Sequence, residues 1–192
     1  MQSEFYFRTL RATDGDLLFS FFSSLSKKSK KTFQPHPFTI AFVRKIVSDY
    51  HSNLRLRLVV VSKKTESIIG YAFLHRQPFF LNHAYFGIAV SDKFQGKGIG
   101  SKLLAQLLKY GKEQGVENVF LNVYSNNANA VAVYYKIGFS LYEPSFFFKK
   151  MFTINELIYN GTFFESILKI IKNKKIQSPI SNSSVVWMVK KI

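Results

Sequence analysis

The sequence contains no cysteine. That excludes disulfides, thiolate metal sites and a cysteine nucleophile, and it leaves no sign of an oxidising compartment. Acids are scarce: 11 Asp and Glu stand against 27 Lys and Arg, for a formal charge of +16. No stretch reaches the roughly 18 uninterrupted apolar residues of a membrane span. The opening MQSEFYFRTLRATDGD carries acids early and has no apolar core, so it does not read as a secretory signal. The expectation is a soluble, cytoplasmic protein. Its 192 residues fit one domain, 1–192, and a 47% hydrophobic composition supplies a sizeable core.

What is abundant is positive charge. Such a balance favours acidic partners: nucleic acid, an anionic membrane surface or a phosphorylated ligand. Its other reading is a set of solvated lysine faces. KKSKK (27–31) and the lysines between 169 and 175 are the local concentrations.

Hydrophobic periodicity lays out the elements. Residues 5–12 alternate and are rich in aromatics, which predicts a strand. A short helix follows, with Thr13 as its N-cap. The lysine cluster and QPHPF (34–38) read as a loop, since two close prolines exclude a helix. Thr39 caps a helix over 40–50. Residues 54–62 and 68–76 read as a hairpin around KKTES. Residues 83–91 form a strand apolar on both faces, hence central.

Ile99, Leu103, Leu104, Leu107 and Leu108 recur at helical spacing, and Gly115 ends that helix. A strand over 117–125, an asparagine-capped helix over 126–139 ending at Gly138, and a strand from 139 follow. Residues 144–181 form an atypical insertion with an amphipathic helix at 163–175. A final strand over 184–191 closes the chain.

FQGKGIGSKLL (94–104) places three glycines between a strand and a helix. Glycine costs about 1 kcal/mol against alanine within a helix, so three need a reason. Strand, glycine turn and helix N-terminus together make an anion site. The dinucleotide fingerprint GxGxxG fails, because Ser101 stands at the third glycine, and the kinase loop fails with it. The Walker A pattern fails as well.

The pattern [QR]xxGx[GA] fits, as Gln95, Gly96, Lys97, Gly98, Ile99 and Gly100. Downstream, Asn127, Ala130, Tyr134, Gly138 and Phe139 keep the spacing NxxAxxxYxxxGF. Together these resemble the GNAT superfamily of acyl-CoA-dependent N-acetyltransferases. The resemblance is strong over 83–143 and topological over 5–76. It implies an α/β fold: a mixed, mostly antiparallel sheet of six to seven strands, flanked by helices and splayed between the fourth and fifth strands. It also implies acetyl-CoA as co-substrate, an amine acceptor, and a monomer or homodimer. The backbones of Gln95 to Gly100, with Ser101, would hold the pyrophosphate, with Lys97 and Lys102 as charge partners. Ile88, Ala89 and Val90 would hold the pantetheine arm.

Amide formation requires a neutral amine, a stabilised oxyanion and a protonated leaving thiolate. The resemblance makes a backbone amide near Ala89 or Val90 the oxyanion donor and Tyr134 the acid. A phenol with a pKa near 10 stays protonated at neutral pH. Without the motif, Tyr134 reads as a packing residue. Asn127 either caps its helix or also touches CoA.

Where many relatives carry a glutamate on the fourth strand, this sequence has Tyr85. His83 shares its strand face by period two, so His83 and Tyr85 join Tyr134 as catalytic candidates. His75 and His36 are further histidines. A water chain, or an acceptor that arrives neutral, needs no base. The histidines lack metal-ligand spacing, and no metal is expected. The phenylalanines sit mostly at core positions instead of between lysines on one face, so nucleic-acid binding and a CoA-binding module without catalysis rank below the enzyme. The two lysine-rich segments favour an anionic acceptor, with a protein amino terminus as the alternative.

Overall fold

Seven strands form one mixed sheet in the order β1-β2-β3-β4-β5-β7-β6. The computed structural model describes residues 4–33, 35–50, 52, 54–77, 80–145 and 185–192. The strands are β1 (Phe5–Thr9), β2 (Arg55–Ser62), β3 (Ile68–Gln77), β4 (Phe80–Val90), β5 (Asn118–Tyr124), β6 (Ser140–Leu141) and β7 (Val185–Lys191). Every neighbouring pair is antiparallel except β4 with β5. The helices are α1 (Gly15–Ser24), α2 (Lys27–Thr32), α3 (Ile40–Ser48), α4 (Ile99–Glu113) and α5 (Ala128–Ile137). This is the splayed mixed sheet expected, with β4 fourth of seven and therefore central. The helix expected at 163–175 lies outside the described residues.

Helices cover both faces of the sheet. Leu58 to Val61 are all buried, because β2 faces a helical layer on each side. Val59, Val61, Tyr71 and Phe73 pack with Phe22 of α1 and Ile46 of α3. Leu58, Val60, Ala72 and Leu74 pack with Leu103, Leu104 and Leu107 of α4. The five apolar positions singled out in α4 are all buried. Each such leucine contributes about 1.5–3 kcal/mol by leaving water.

Two local expectations are corrected. Thr13 does not cap α1. It lies in a short 3-10 turn, and Asp14 takes the N-cap position. The Asp14 carboxylate instead binds the Arg8 guanidinium through two contacts, at 2.6 and 2.8 Å, and accepts from the Arg11 N–H. The lysine cluster is not a loop but helix α2. Ser26 caps it, its hydroxyl accepting from the Ser29 N–H at 3.1 Å. The prolines lie beyond its end, so they do not oppose it.

Candidate functional site

The β4–β5 ladder is short. It pairs His83 with Asn118, Ala84 with Val119 and Tyr85 with Phe120, although β4 runs on to Val90 and β5 to Tyr124. Past Tyr85 the two strands part. The Ser91 N–H donates to the Ile69 carbonyl at 2.9 Å. Antiparallel alternation then turns the backbones of Ala89, Gly87 and Tyr85 towards β3. Ile88 and Val90 turn theirs into the opening. A groove of about 1230 Å³ fills this split and extends past α2.

One end of the groove is the glycine turn. Gly96 and Gly98 both have φ of +75°, and a Cβ on either would meet nothing within 4 Å. Left-handed backbone and open space both favour glycine there. Gly98 is the N-cap of α4, and the first intrahelical bond runs from the Lys102 N–H to the Gly98 carbonyl. The preceding amides of Ile99, Gly100 and Ser101 therefore lack helical partners. The Ile99 side chain is buried in the core, so only its backbone serves the turn. The Gln95 carboxamide donates to the Val90 carbonyl at 3.0 Å, fastening the turn to the end of β4. Lys97 does not line the groove; its ammonium lies 5.3 Å from the Phe94 ring centre. Lys102 is exposed and outside the groove lining.

Tyr134 lines the groove from α5. Its ring meets Phe86 and Phe139 edge-on, with centres 5.7 and 5.9 Å away. Burial pushes its phenol up to about 12, and among the described residues the hydroxyl has no hydrogen-bond partner. The phenol is thus a proton donor at neutral pH. Asn127 also lines the groove. It occupies the N-cap position of α5, but its side chain makes no capping hydrogen bond.

The opposite wall is aromatic. Tyr85 and His75 face each other across β4 and β3, with 2.9 Å between the phenol oxygen and Nδ1. Phe73 packs against both. Gly87 makes room for it: a Cβ there would come within 2.4 Å of the Phe73 ring. Burial, then the charges of Arg57 and Arg55, holds His75 well below its ordinary value of 6.5. It is a neutral imidazole at neutral pH.

His83 is not brought to the groove. It lies where β5 is still paired, stacks near Phe120 at 5.4 Å and bonds Asn82. Period two rightly places it on the Tyr85 face; the point where the strands part excludes it. Ala89 likewise does not line the groove. The sequence reading undervalued Phe33 and Phe73, which line the aromatic wall, and Asn122 and Tyr124 on the β5 side. A paired register for the β3–β4 hairpin would have revealed Phe73.

At the mouth, Lys28 and Lys31 of α2 line the groove. Asp92 supplies the one carboxylate among the described lining residues. It accepts from the Ser26 N–H and from the hydroxyls of Ser26 and Ser29 at 2.7–2.9 Å, which holds it below the usual carboxylate range.

Residues 20–139 match the family model of the Acetyltransferase (GNAT) family. A [ribosomal protein bS18]-alanine N-acetyltransferase from Salmonella typhimurium is 40% identical over 55 residues, which are 29% of this chain and 37% of that protein. Across the curated relatives compared, the chain covers 22–37% of their length. Among solved structures, the GNAT domain of S. lividans PAT has a TM-score of 0.68 at 17% identity, covering 97% of this chain and 89% of that one. A spermidine N-acetyltransferase from Vibrio cholerae, in complex with CoA and spermine, has a TM-score of 0.66 at 18% identity, covering 99% and 96%.

Proposed function

The chain belongs to the acetyltransferase (GNAT) family, and from that premise we propose that it transfers an acetyl group from acetyl-CoA to a primary amine on an anionic molecule. A nucleotide-linked amino sugar and an amino acid derivative are the acceptor classes that fit. The observation that carries this reading is the charge of the groove. Lys28 and Lys31 stand at its mouth, and its one carboxylate among the described residues is already bound by two serines. Among the described lining residues, polyamines and lysine-rich tails meet these two lysines against a single carboxylate whose oxygens are already engaged.

In this reading each part of the groove has one task. The amides of Ile99, Gly100 and Ser101 hold the pyrophosphate, and Gly96 and Gly98 keep Cβ atoms out of its way. The backbones of Ile88 and Val90 hold the pantetheine arm, and the Val90 N–H, which faces the opening, polarises the thioester oxygen. Asn127, free of a capping bond, is available to the same ligand. Tyr134 donates a proton to the departing sulfur. The thioester supplies an activated acetyl group. The Vibrio cholerae neighbour holds CoA on the same fold, which supports that cofactor class here.

The test is competition between size-matched amines of opposite charge across a salt series. The expected result is preference for the anionic amine, weakening as salt rises. Preference for spermidine-like amines, unaffected by salt, would overturn the anionic acceptor.

A further inference from the structure

The two faces of the split are lined differently. In the acetyl-transfer reading the cofactor is held by the α4 turn and Tyr134. Tyr134, Phe86, Leu104, Leu121 and Val123 line the groove and belong to the layer packed with α4. Phe33, Phe73 and Tyr85 line the same groove but belong to the layer of α1 and α3. His36 joins them, stacked on Phe42 of α3 at 4.7 Å. The aliphatic lining thus lies with the cofactor, and the face left to the acceptor is walled by rings.

That wall comes up against bare backbone. Gly87 lines the groove two residues beyond Tyr85, on the same strand face. A Cβ there would come within 2.4 Å of the Phe73 ring and 3.2 Å of the Phe33 ring. Both rings therefore lean over β4 where it has left β5. Phe73 lies 6.4 Å from Phe33 and 6.0 Å from Tyr85, centre to centre. Phe33, His36, Phe73 and Tyr85 are each less than a tenth exposed. Their neighbours fix them, so little side-chain ordering is left for binding. His36 adds no charge at neutral pH: its Nδ1–H donates to the Pro37 carbonyl, and burial lowers its pKa to about 4. Charge begins next to the wall. Lys28 and Lys31, three apart on α2, share a helix face and line the groove. Phe33 is the C-cap residue of that helix, so ring and ammonium groups come from one short stretch of chain.

We propose that the wall of Phe33, His36, Phe73 and Tyr85 receives an aryl side chain of the acceptor, and that Lys28 and Lys31 receive its anionic group. This rests on the acetyl-transfer reading and narrows it. The substrate class is an aromatic α-amino acid, or a derivative that keeps the free amine, the ring and the carboxylate. Such a molecule carries its amine on the carbon between the ring-bearing side chain and the carboxylate. Anchoring both leaves the amine for the thioester.

The amine lone pair forms the N–C bond as the C–S bond breaks. Sulfur takes the Tyr134 proton, and the proton leaving nitrogen restores Tyr134 through solvent. Ring pairs gain from offset and edge-to-face contacts beyond the area they bury. The wall therefore separates a phenyl ring from an aliphatic side chain of similar size, which burial alone does not.

The experiment measures thiol release from acetyl-CoA with the full chain and phenylalanine, leucine, alanine or a phosphorylated amino sugar as acceptor. In kcat/KM, phenylalanine should exceed leucine by about threefold or more and alanine by about tenfold or more, with the amino sugar below phenylalanine. Phe33→Leu keeps an apolar side chain and should narrow the phenylalanine-to-leucine ratio towards one. The wild-type panel decides the matter even where that variant folds poorly. Equal rates for the amino acids, or an amino sugar that outruns them, would overturn the proposal and leave acetyl transfer to an anionic acceptor standing. So would an unchanged ratio in a Phe33→Leu protein whose melting temperature still rises with CoA. Phenylalaninamide tests the underlying charge reading: turnover equal to that of phenylalanine at every salt concentration would overturn the anionic acceptor and the role of the lysines with it. No thiol release with any of these amines, while CoA still raises the melting temperature, would overturn both readings.

Discussion

Asp92 completes the cap of a helix whose N-cap residue lies 66 residues earlier: its carboxylate accepts from both the backbone N–H and the hydroxyl of Ser26. In an ordinary capping box the side chain three residues into the helix binds the cap's own N–H. Here that residue is Ser29, and its hydroxyl also turns to Asp92. The helix needs this help. Lys27, Lys28, Lys30 and Lys31 crowd its six residues with no acid, and cations near a helix N-terminus oppose its dipole. The same carboxylate sits between β4 and the glycine turn, and Gln95 donates to Ser29 at 3.3 Å. Docking of the lysine helix and setting of the turn are therefore coupled.

Asp92→Ala should loosen α2 and weaken its hold on the turn. Most of the carboxylate is exposed, so the stability cost is modest, about 1 kcal/mol. Acetyl-CoA affinity should fall several-fold, measured by thermal shift or calorimetry. Ser29→Ala, which removes the shared hydroxyl, should move it in the same direction. Unchanged affinity in both variants would separate the lysine helix from the cofactor site.

Gly98→Glu should abolish CoA binding. The position combines a φ of +75° with open space beside the turn, so a side chain there is strained and fills the approach to the amides with negative charge. The wild-type melting temperature should rise clearly with CoA, and the variant's should not. A variant that binds CoA normally would move the pyrophosphate away from this turn.

Tyr134→Phe should leave CoA affinity nearly intact and lower turnover roughly 10- to 1000-fold, around the range of general acid catalysis. The ring contacts with Phe86 and Phe139 persist in the variant, so packing does not account for a loss of rate. Equal turnover at every pH would remove Tyr134 from the reaction.

Much of this architecture is legible in the sequence because it is local. Period two marks the strands, Leu103 to Leu108 mark the buried face of α4, and Gly138 ends α5 in left-handed backbone as its position suggests. The glycine turn carries its own signature. Helix α2 is not legible, because KKSKKT has no apolar face and its stabilising partner, Asp92, is distant in sequence. The contrast between His83 and His75 depends on where β4 leaves β5. Both strands keep their patterns past that point, so nothing in either one announces it. His75 meets Tyr85 only through the cross-strand register of β3 and β4.

His36 gives a pH-dependent test of the loop before α3. Its ring stacks on Phe42 at 4.7 Å and meets Phe22 edge-on. Nδ1–H donates to the Pro37 carbonyl at 3.0 Å, while Nε2 is buried without a partner among the described residues. Burial is the main cause that lowers its pKa from 6.5 to about 4. Between those values the unfolded chain binds a proton that the folded chain refuses. Stability is therefore full above pH 6.5 and falls as pH drops towards 4, by up to roughly 3 kcal/mol from this group. His75, also held neutral by burial, acts in the same direction. His36→Phe keeps the stacking and removes the titration. Its melting temperature should fall less steeply than the wild type's between pH 6.5 and 4.5, without becoming flat, because His75 remains. Superimposable slopes for the two proteins would show that His36 takes up its proton as readily folded as unfolded.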